Sequence, residues 1–470
     1  MQKTISKWLF TAEIVTLALA LPAKAAARTF ALKNGARVLF YGDSITEQRY
    51  WTVAVETYVR TRFPNLKVKF LNSAVGGATV TGNWTAPVDL SLSRDVFPFK
   101  PDIVTIMLGM NDGSYRPFDP SVFDTYRKGY EHLVNSLEAH LPGVKIVLIQ
   151  PTPWDDITQP PSYPYNPNHA PGGYDSVIQR YCQFVKQLGA EHHLKVVDFH
   201  TPLVKLMEEF KEQNPALAGK IIPGRVHPGP SAELVMAQTM LKAWHAPALV
   251  SDVAIDASAA KLERSQNTRI ANLSAEGGGI SWTETDKALP YPIMTLHSTK
   301  WPQFPPDPFG GWKEKIFWPL PSLEAPEINP VAALVTKLTG MYQALDSEML
   351  QISGLNGAAY NLKIDGHAVG TFSGDELGRG INLAQYDTPM MDQADKVLTL
   401  VWHRVDLRFY GWRAVQVPLA LARTPGVQSG VSEILKALGR EQDALIAQAH
   451  AAAQPKAHRY VLTPASNTSQ

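Results

Sequence analysis

Four short stretches hold the residues whose types could do chemistry: "GDSITE" at 42–47, "VGGAT" at 75–79, "GMNDG" at 109–113 and "VHPGP" at 226–230. A serine hydroxyl such as that of Ser44 is a poor nucleophile until a base takes its proton. His227, in a loop stiffened by Pro228, is a residue type that can do so. Gly76 and Gly77 let the backbone approach a ligand closely and offer an N–H. The Asn111 side-chain amide can donate to an oxyanion. Singly, each has an ordinary reading. Ser44 or Thr46 caps a helix, the glycine pair and Asn111-Asp112-Gly113 form turns, and His227 sits on a surface. Together they make the parts list of an acyl transfer.

The elements between them must bring these loops together. Short Val- and Ile-rich runs at "RVLFYG", "VKFLN", "DIVTIML", "VKIVLIQ" and "LKVVDF" alternate with stretches of helical spacing, the last being "SAELVMAQTMLKAWH". That alternation predicts a five-stranded parallel sheet with helices on both faces. Ligands of such sheets bind at the carboxyl ends of the strands. Ser44, Gly77 and Asn111 follow the first three runs, and His227 follows the fifth.

The four blocks "GDSIT", "VGGAT", "GMND" and "VHP" stand in the order of the SGNH, or GDSL, hydrolase superfamily, which residues 36–245 resemble. The resemblance implies a three-layer α/β/α fold and esterase, lipase or carbohydrate-deacetylase activity. It implies Ser44 as nucleophile and His227 as general base. The oxyanion donors would be the Ser44 N–H, the Gly77 N–H and the Asn111 side chain. Gly77 is preferred over Gly76 because the family's donor glycine directly precedes a position like Ala78.

One residue departs from the pattern. The family carries an acid three places before the histidine, and here that place holds Gly224. The acid of a triad fixes the imidazole tautomer and stabilises its cation, and its loss lowers turnover by about four orders of magnitude. Three readings are open. The Gly224 carbonyl orients His227 in a Ser–His dyad, or Glu233 or Asp198 supplies the acid, or the chain is a weakly active or inactive carbohydrate-binding relative. The dyad is the favoured one.

Substrate class rests on aromatic residues beside the inferred sheet edge. Trp84 and the stretch containing Trp154 and Asp155 follow strands 2 and 4, where they could rim a pocket and stack on sugar rings. The expected substrate is a small-molecule or carbohydrate ester. Core or loop packing is the competing reading for these residues. Among 470 residues, 44 Lys and Arg nearly balance 43 Asp and Glu, which gives no basis for a nucleic-acid or anionic membrane partner. No P-loop or G-x-G-x-x-G follows the first strand and no HExxH occurs, so neither a cofactor nor a metal is expected. Cys182 is the single cysteine, in a helical stretch where a thiol packs as a small hydrophobe.

Residues 1–25, with Lys3 and Lys7 before an apolar run and Ala23-Lys24-Ala25 after it, read as a secretory signal peptide. An exported protein, periplasmic or extracellular and without stable membrane insertion, is expected. The hydrolase domain is read as 26–247. Residues 248–387 are read as a β-rich accessory domain containing a tight hairpin at Asp365-Gly366. Residues 388–470 are read as a C-terminal helical segment with a frayed tail after Pro455.

Overall fold

The computed structural model describes residues 29–160, 173–293, 325–420, 422 and 424–465. The signal-peptide segment, the end of the loop after the fourth run and most of the Pro- and Trp-rich stretch after residue 293 lie outside the described residues. β1 (Arg37–Gly42) runs into α1 (Ser44–Glu47) and α2 (Tyr50–Arg62). β2 (Lys69–Asn72) leads to a small hairpin, β3 (Gly82–Asn83) with β4 (Ala86–Pro87), and to α3 (Val88–Asp95). There follow β5 (Ile103–Met107), α4 (Pro120–His140), β6 (Lys145–Gln150), α5 (Asp175–Glu191) and β7 (Lys195–Asp198). Helices α6 (His200–Gln213), α7 (Pro215–Ala218) and α8 (Pro230–Ala243) close the region.

The five long strands of this region pair only in parallel, in the order β2-β1-β5-β6-β7. The expected five-stranded α/β layout is present. β5 is buried at every residue, as a parallel strand covered on both faces must be. Helix α4 starts where Asp119 accepts from the Ser121 and Val122 N–H groups, with Pro120 in the first turn. It buries Tyr126, Tyr130, Leu133, Val134 and Leu137 along one stripe.

The second half opens with β8 (Leu249–Asp256), β9 (Lys261–Gln266), β10 (Thr268–Glu276) and β11 (Gly279–Asp286). It continues through α9 (Ala325–Thr339), α10 (Met341–Leu345), β12 (Ser347–Ser353), β13 (Ala359–Ile364) and β14 (His367–Ser373). Then come α11 (Gly374–Arg379), β15 (Ile381–Asn382), α12 (Pro389–Tyr410), α13 (Pro425–Ala452) and β16 (Ala457–Pro464). Two sheets, β15-β12-β8-β9 and β10-β11-β16-β13-β14, share a core of Ile255, Leu350, Ile352, Trp282, Leu362, Ile364, Tyr460 and Leu462. The β13–β14 turn carries Asp365 at φ 51° and Gly366 at φ 85°, the two positive values that a tight hairpin needs.

One feature differs from the sequence reading. Residues 457–464 are no frayed tail, because they form β16, which lies inside a sheet and buries His458, Tyr460 and Leu462 at alternate positions. Helix α2 has no solvent face, since all thirteen of its residues are buried. The reason is α12, which lies against it. Buried charges need partners, and those of α2 find them across the halves. Glu56 accepts from Arg404 at 2.5 Å, and Arg62 donates to Asp346 at 3.1 Å.

Candidate active site

Ser44 is the first residue of α1 and follows β1 with one residue between. The intervening Asp43 caps the helix, its Oδ1 accepting from the Ile45 N–H at 3.0 Å. Burial pushes the Asp43 carboxyl up to about 7. The glycine before it is obligatory, for a Cβ at Gly42 would stand 2.7 Å from Thr46 Oγ1 and 2.9 Å from the Met107 carbonyl. This tight strand-to-helix turn leaves Ser44 half-buried at the sheet edge.

His227 Nε2 lies 2.8 Å from Ser44 Oγ. Burial pushes the imidazole down to about 4, so the ring is neutral at pH 7 and can accept the hydroxyl proton. Its loop is tied to the loop after β6. The Asp155 N–H donates to the Arg225 carbonyl at 3.0 Å, and Arg225 Nη1 donates to the Asp155 carbonyl at 3.0 Å.

The loop after β2 faces Ser44 from the neighbouring strand end. Gly76 N–H donates to Glu47 Oε2 at 2.9 Å, so of the two glycines Gly77 is the one whose N–H is not committed there. Gly77 has φ 71°, a backbone conformation that favours glycine. The loop after β5 clamps this segment at two points. Asn111 Nδ2 donates to the Ala78 carbonyl at 3.0 Å, and Asp112 Oδ1 accepts from the Val80 N–H at 2.9 Å. Tyr115 donates from its hydroxyl to Asn111 Oδ1 at 2.7 Å, which fixes the amide with its nitrogen toward the glycine loop.

Residues 40–232 match the GDSL-like lipase/acylhydrolase family. These residues are similar to that family, and the match covers less than half of the chain. The acylhydrolase domain makes the chain a carboxylic ester hydrolase. Among solved structures, a gut microbial diltiazem-metabolizing enzyme is 23% identical with a TM-score of 0.74, the match covering 93% of this chain and 99% of that one. The likeness shows that the fold of both halves is shared. An acetylxylan esterase from Geobacillus stearothermophilus is 23% identical with a TM-score of 0.36, covering 46% of this chain and 96% of that one. No curated protein matches the chain.

The acylhydrolase domain places the remaining candidates unequally. Gly224 is exposed at φ 65°, with no heavy atom within 4 Å of where a Cβ would stand. Asp198 ends β7 and lies just before α6, accepting from Thr201 N–H and Oγ1 at 2.9 and 2.7 Å. Glu233 is fully buried in α8 and accepts from the Trp51 N–H at 2.8 Å. Both acids are therefore engaged in packing helices. Trp154 and Asp155 are buried too, at 4% and 0% exposure, and do not rim a pocket. Trp154 packs against Tyr115 and Tyr174, while Asp155 accepts from the N–H groups of Ile157 and Thr158. Trp84 is 59% exposed, on the β3–β4 turn.

Three site residues escape sequence reasoning: Glu47, Tyr115 and Arg413. Glu47 lies one turn beyond Ser44, a spacing that could have flagged it. Tyr115 follows Asn111 by four residues, within reach of the same loop. Arg413 has no such signal. It sits in a wide helical turn, Gly411–Gln416, that extends α12, and it reaches Glu47 Oε1 at 2.9 Å. The guanidinium also lies 5.1 Å from the centre of the Trp84 ring. No group of three or more His, Cys, Asp or Glu suited to a metal occurs among the described residues. Nor is any helix among them long and apolar enough to cross a membrane.

Proposed function

We propose that the domain is a serine esterase in which Ser44 is nucleophile and His227 general base, and that it removes short acyl groups from a carbohydrate-type ester. The 2.8 Å approach of His227 Nε2 to Ser44 Oγ carries the reading. The neutral imidazole takes the hydroxyl proton as Oγ attacks the ester carbonyl. The N–H groups of Ser44 and Gly77 and the Asn111 amide receive the oxyanion. Collapse of the tetrahedral intermediate expels the alcohol, which takes the proton back from the imidazolium, and water then releases the acid by the same steps. Asp198 and Glu233 are committed to Thr201 and to the Trp51 N–H, so neither is offered here as the acid beside His227.

Trp84 supports the sugar reading. It lies exposed in an open groove lined also by Gly77, Thr79, Thr81 and Asn83, where a ring could stack while hydroxyls meet threonine and asparagine side chains. Residues 1–25 support an exported enzyme. The test is hydrolysis of short-chain aryl acetates by wild type and Ser44→Ala. Wild type should be faster by roughly four orders of magnitude. Equal rates would leave a ligand-binding protein on a hydrolase fold. An acetylated oligosaccharide tests the substrate class, since Trp84→Ala should raise its KM about tenfold and leave the aryl acetate KM unchanged.

A further inference from the structure

Where α12 crosses the loop after β2, a small cavity of about 20 Å³ is lined by Arg49, Arg404 and Arg408, together with Asn72, Ser73 and Trp412. No carboxylate lines it. Arg49 and Arg404 are almost wholly buried. They spend some of their donors on fixed partners. Arg49 donates from Nη1 to Asp406 at 2.5 Å and from Nε to the Glu47 carbonyl at 3.1 Å. Arg404 donates to the Phe70 carbonyl at 3.1 Å and to Glu56 at 2.5 Å. Arg49 Nη2, Arg404 Nε and Arg408 Nε remain, each buried and without a partner.

Asp406 faces Arg49, and the other neighbouring carboxylates are divided among several donors. Glu56 is shared between Arg404 and Arg60, and Asp95 is shared between Arg94 and the Trp412 ring N–H. Buried cations with orphan donors around a common space are costly unless an anion faces them. The volume admits one water-sized species, too little for a phosphate or sulfate. A spherical monovalent ion accepts from several N–H donors with no demand on their mutual angles.

We propose that this cavity binds one small monovalent anion of chloride's size, held by Arg49, Arg404 and Arg408, which ties α12 to the loop after β2. The site is separate from the Ser44 chemistry and does not depend on the esterase reading.

Bromide tests it directly. Crystals of the wild-type protein equilibrated in bromide should show an anomalous peak in the cavity, and its absence there overturns the proposal. In solution, replacing gluconate by chloride at constant ionic strength should raise the Tm saturably, by about 2 °C or more. A Tm indifferent to the exchange means that the cavity holds only water, and overturns the proposal too. Arg408→Met should abolish the chloride effect while Arg408→Lys keeps part of it. Full retention in Arg408→Met counts against the site. Should that variant fail to fold, the bromide peak in the wild type decides.

Discussion

Arg413 Nη1 stands 2.9 Å from Glu47 Oε1, joining the turn beyond α12 to the helix that begins at Ser44. The other oxygen of the same carboxylate accepts from the Gly76 N–H. Through one side chain, the second half of the chain thus steadies the loop that presents Gly77. The pair is largely buried, with 14% and 10% of the two side chains exposed, so neither charge is easily left alone.

Arg413→Ala is therefore expected to lower kcat about tenfold on an aryl acetate with little change in KM. The loss is smaller than the 10²–10³ typical of deleting an oxyanion donor, because the N–H remains and only its placement loosens. Arg413→Lys should recover part of it. Steady-state kinetics decide, and an effect confined to KM would place Arg413 in substrate binding instead.

The pH profile should carry the signature of a desolvated base. With the His227 imidazole near 4 in the folded protein, the active neutral form persists until the pH falls through about 4. The acid limb of kcat/KM is expected there, well below the 6.5 of an ordinary histidine. The same group acts on stability. Between pH 6.5 and 4 the unfolded chain binds a proton that the folded one refuses, so acidification destabilises through His227. An acid limb near 6.5 would contradict the burial of this ring.

Gly224→Asp places an acid where related enzymes carry one. Space is open around the new Cβ, and the strain of an aspartate at φ 65° is about 1 kcal/mol. A carboxylate beside His227 favours its charged form. The acid limb should move upward by a unit or more, and kcat at pH 7 should rise about tenfold. A pH–rate profile that superimposes on the wild type would show that the new acid does not reach the ring.

Glu348 points inward from β12 alongside Leu350 and Ile352, and both of its carboxylate oxygens are buried without partners. Burial and the nearby Asp286, Asp346 and Glu284 hold its carboxyl well above the ordinary range. A raised folded value means that its stability contribution is complete below the unfolded value and is lost as pH rises. Glu348→Met should accordingly stabilise the protein by about 1–3 kcal/mol at pH 8 and by less at pH 5. Denaturant unfolding at the two pH values measures the difference.

The candidate site's edge was legible in the sequence because its information is local. Apolar runs covered on both faces announce parallel strands, and the residues that follow them must emerge at one edge. While the preference for Gly77 over Gly76 came from the family resemblance, that logic placed Ser44, Gly77, Asn111 and His227 at one sheet edge. It failed where burial is decided from afar. Trp154 and Asp155 look like rim residues until Arg225, some seventy positions on, folds over them. Arg413 and Glu47 are 366 residues apart, and no spacing rule connects them. The segment 457–464 alternates like a strand, yet only its partners β11 and β13 show that it has a sheet to join.

The position of β16 also sets an order of events. Its neighbours β11 and β13 are both translated long before it, and within the sheet it is β16 that joins them, Trp282 pairing with Tyr460 and Ile364 pairing with the same residue from the other side. A nascent chain on the ribosome therefore holds two half-sheets with facing edges open until the last strand is made. Such edges invite pairing with other chains. For this protein, the hazardous interval of biogenesis ends only when residues 457–464 slide into the gap.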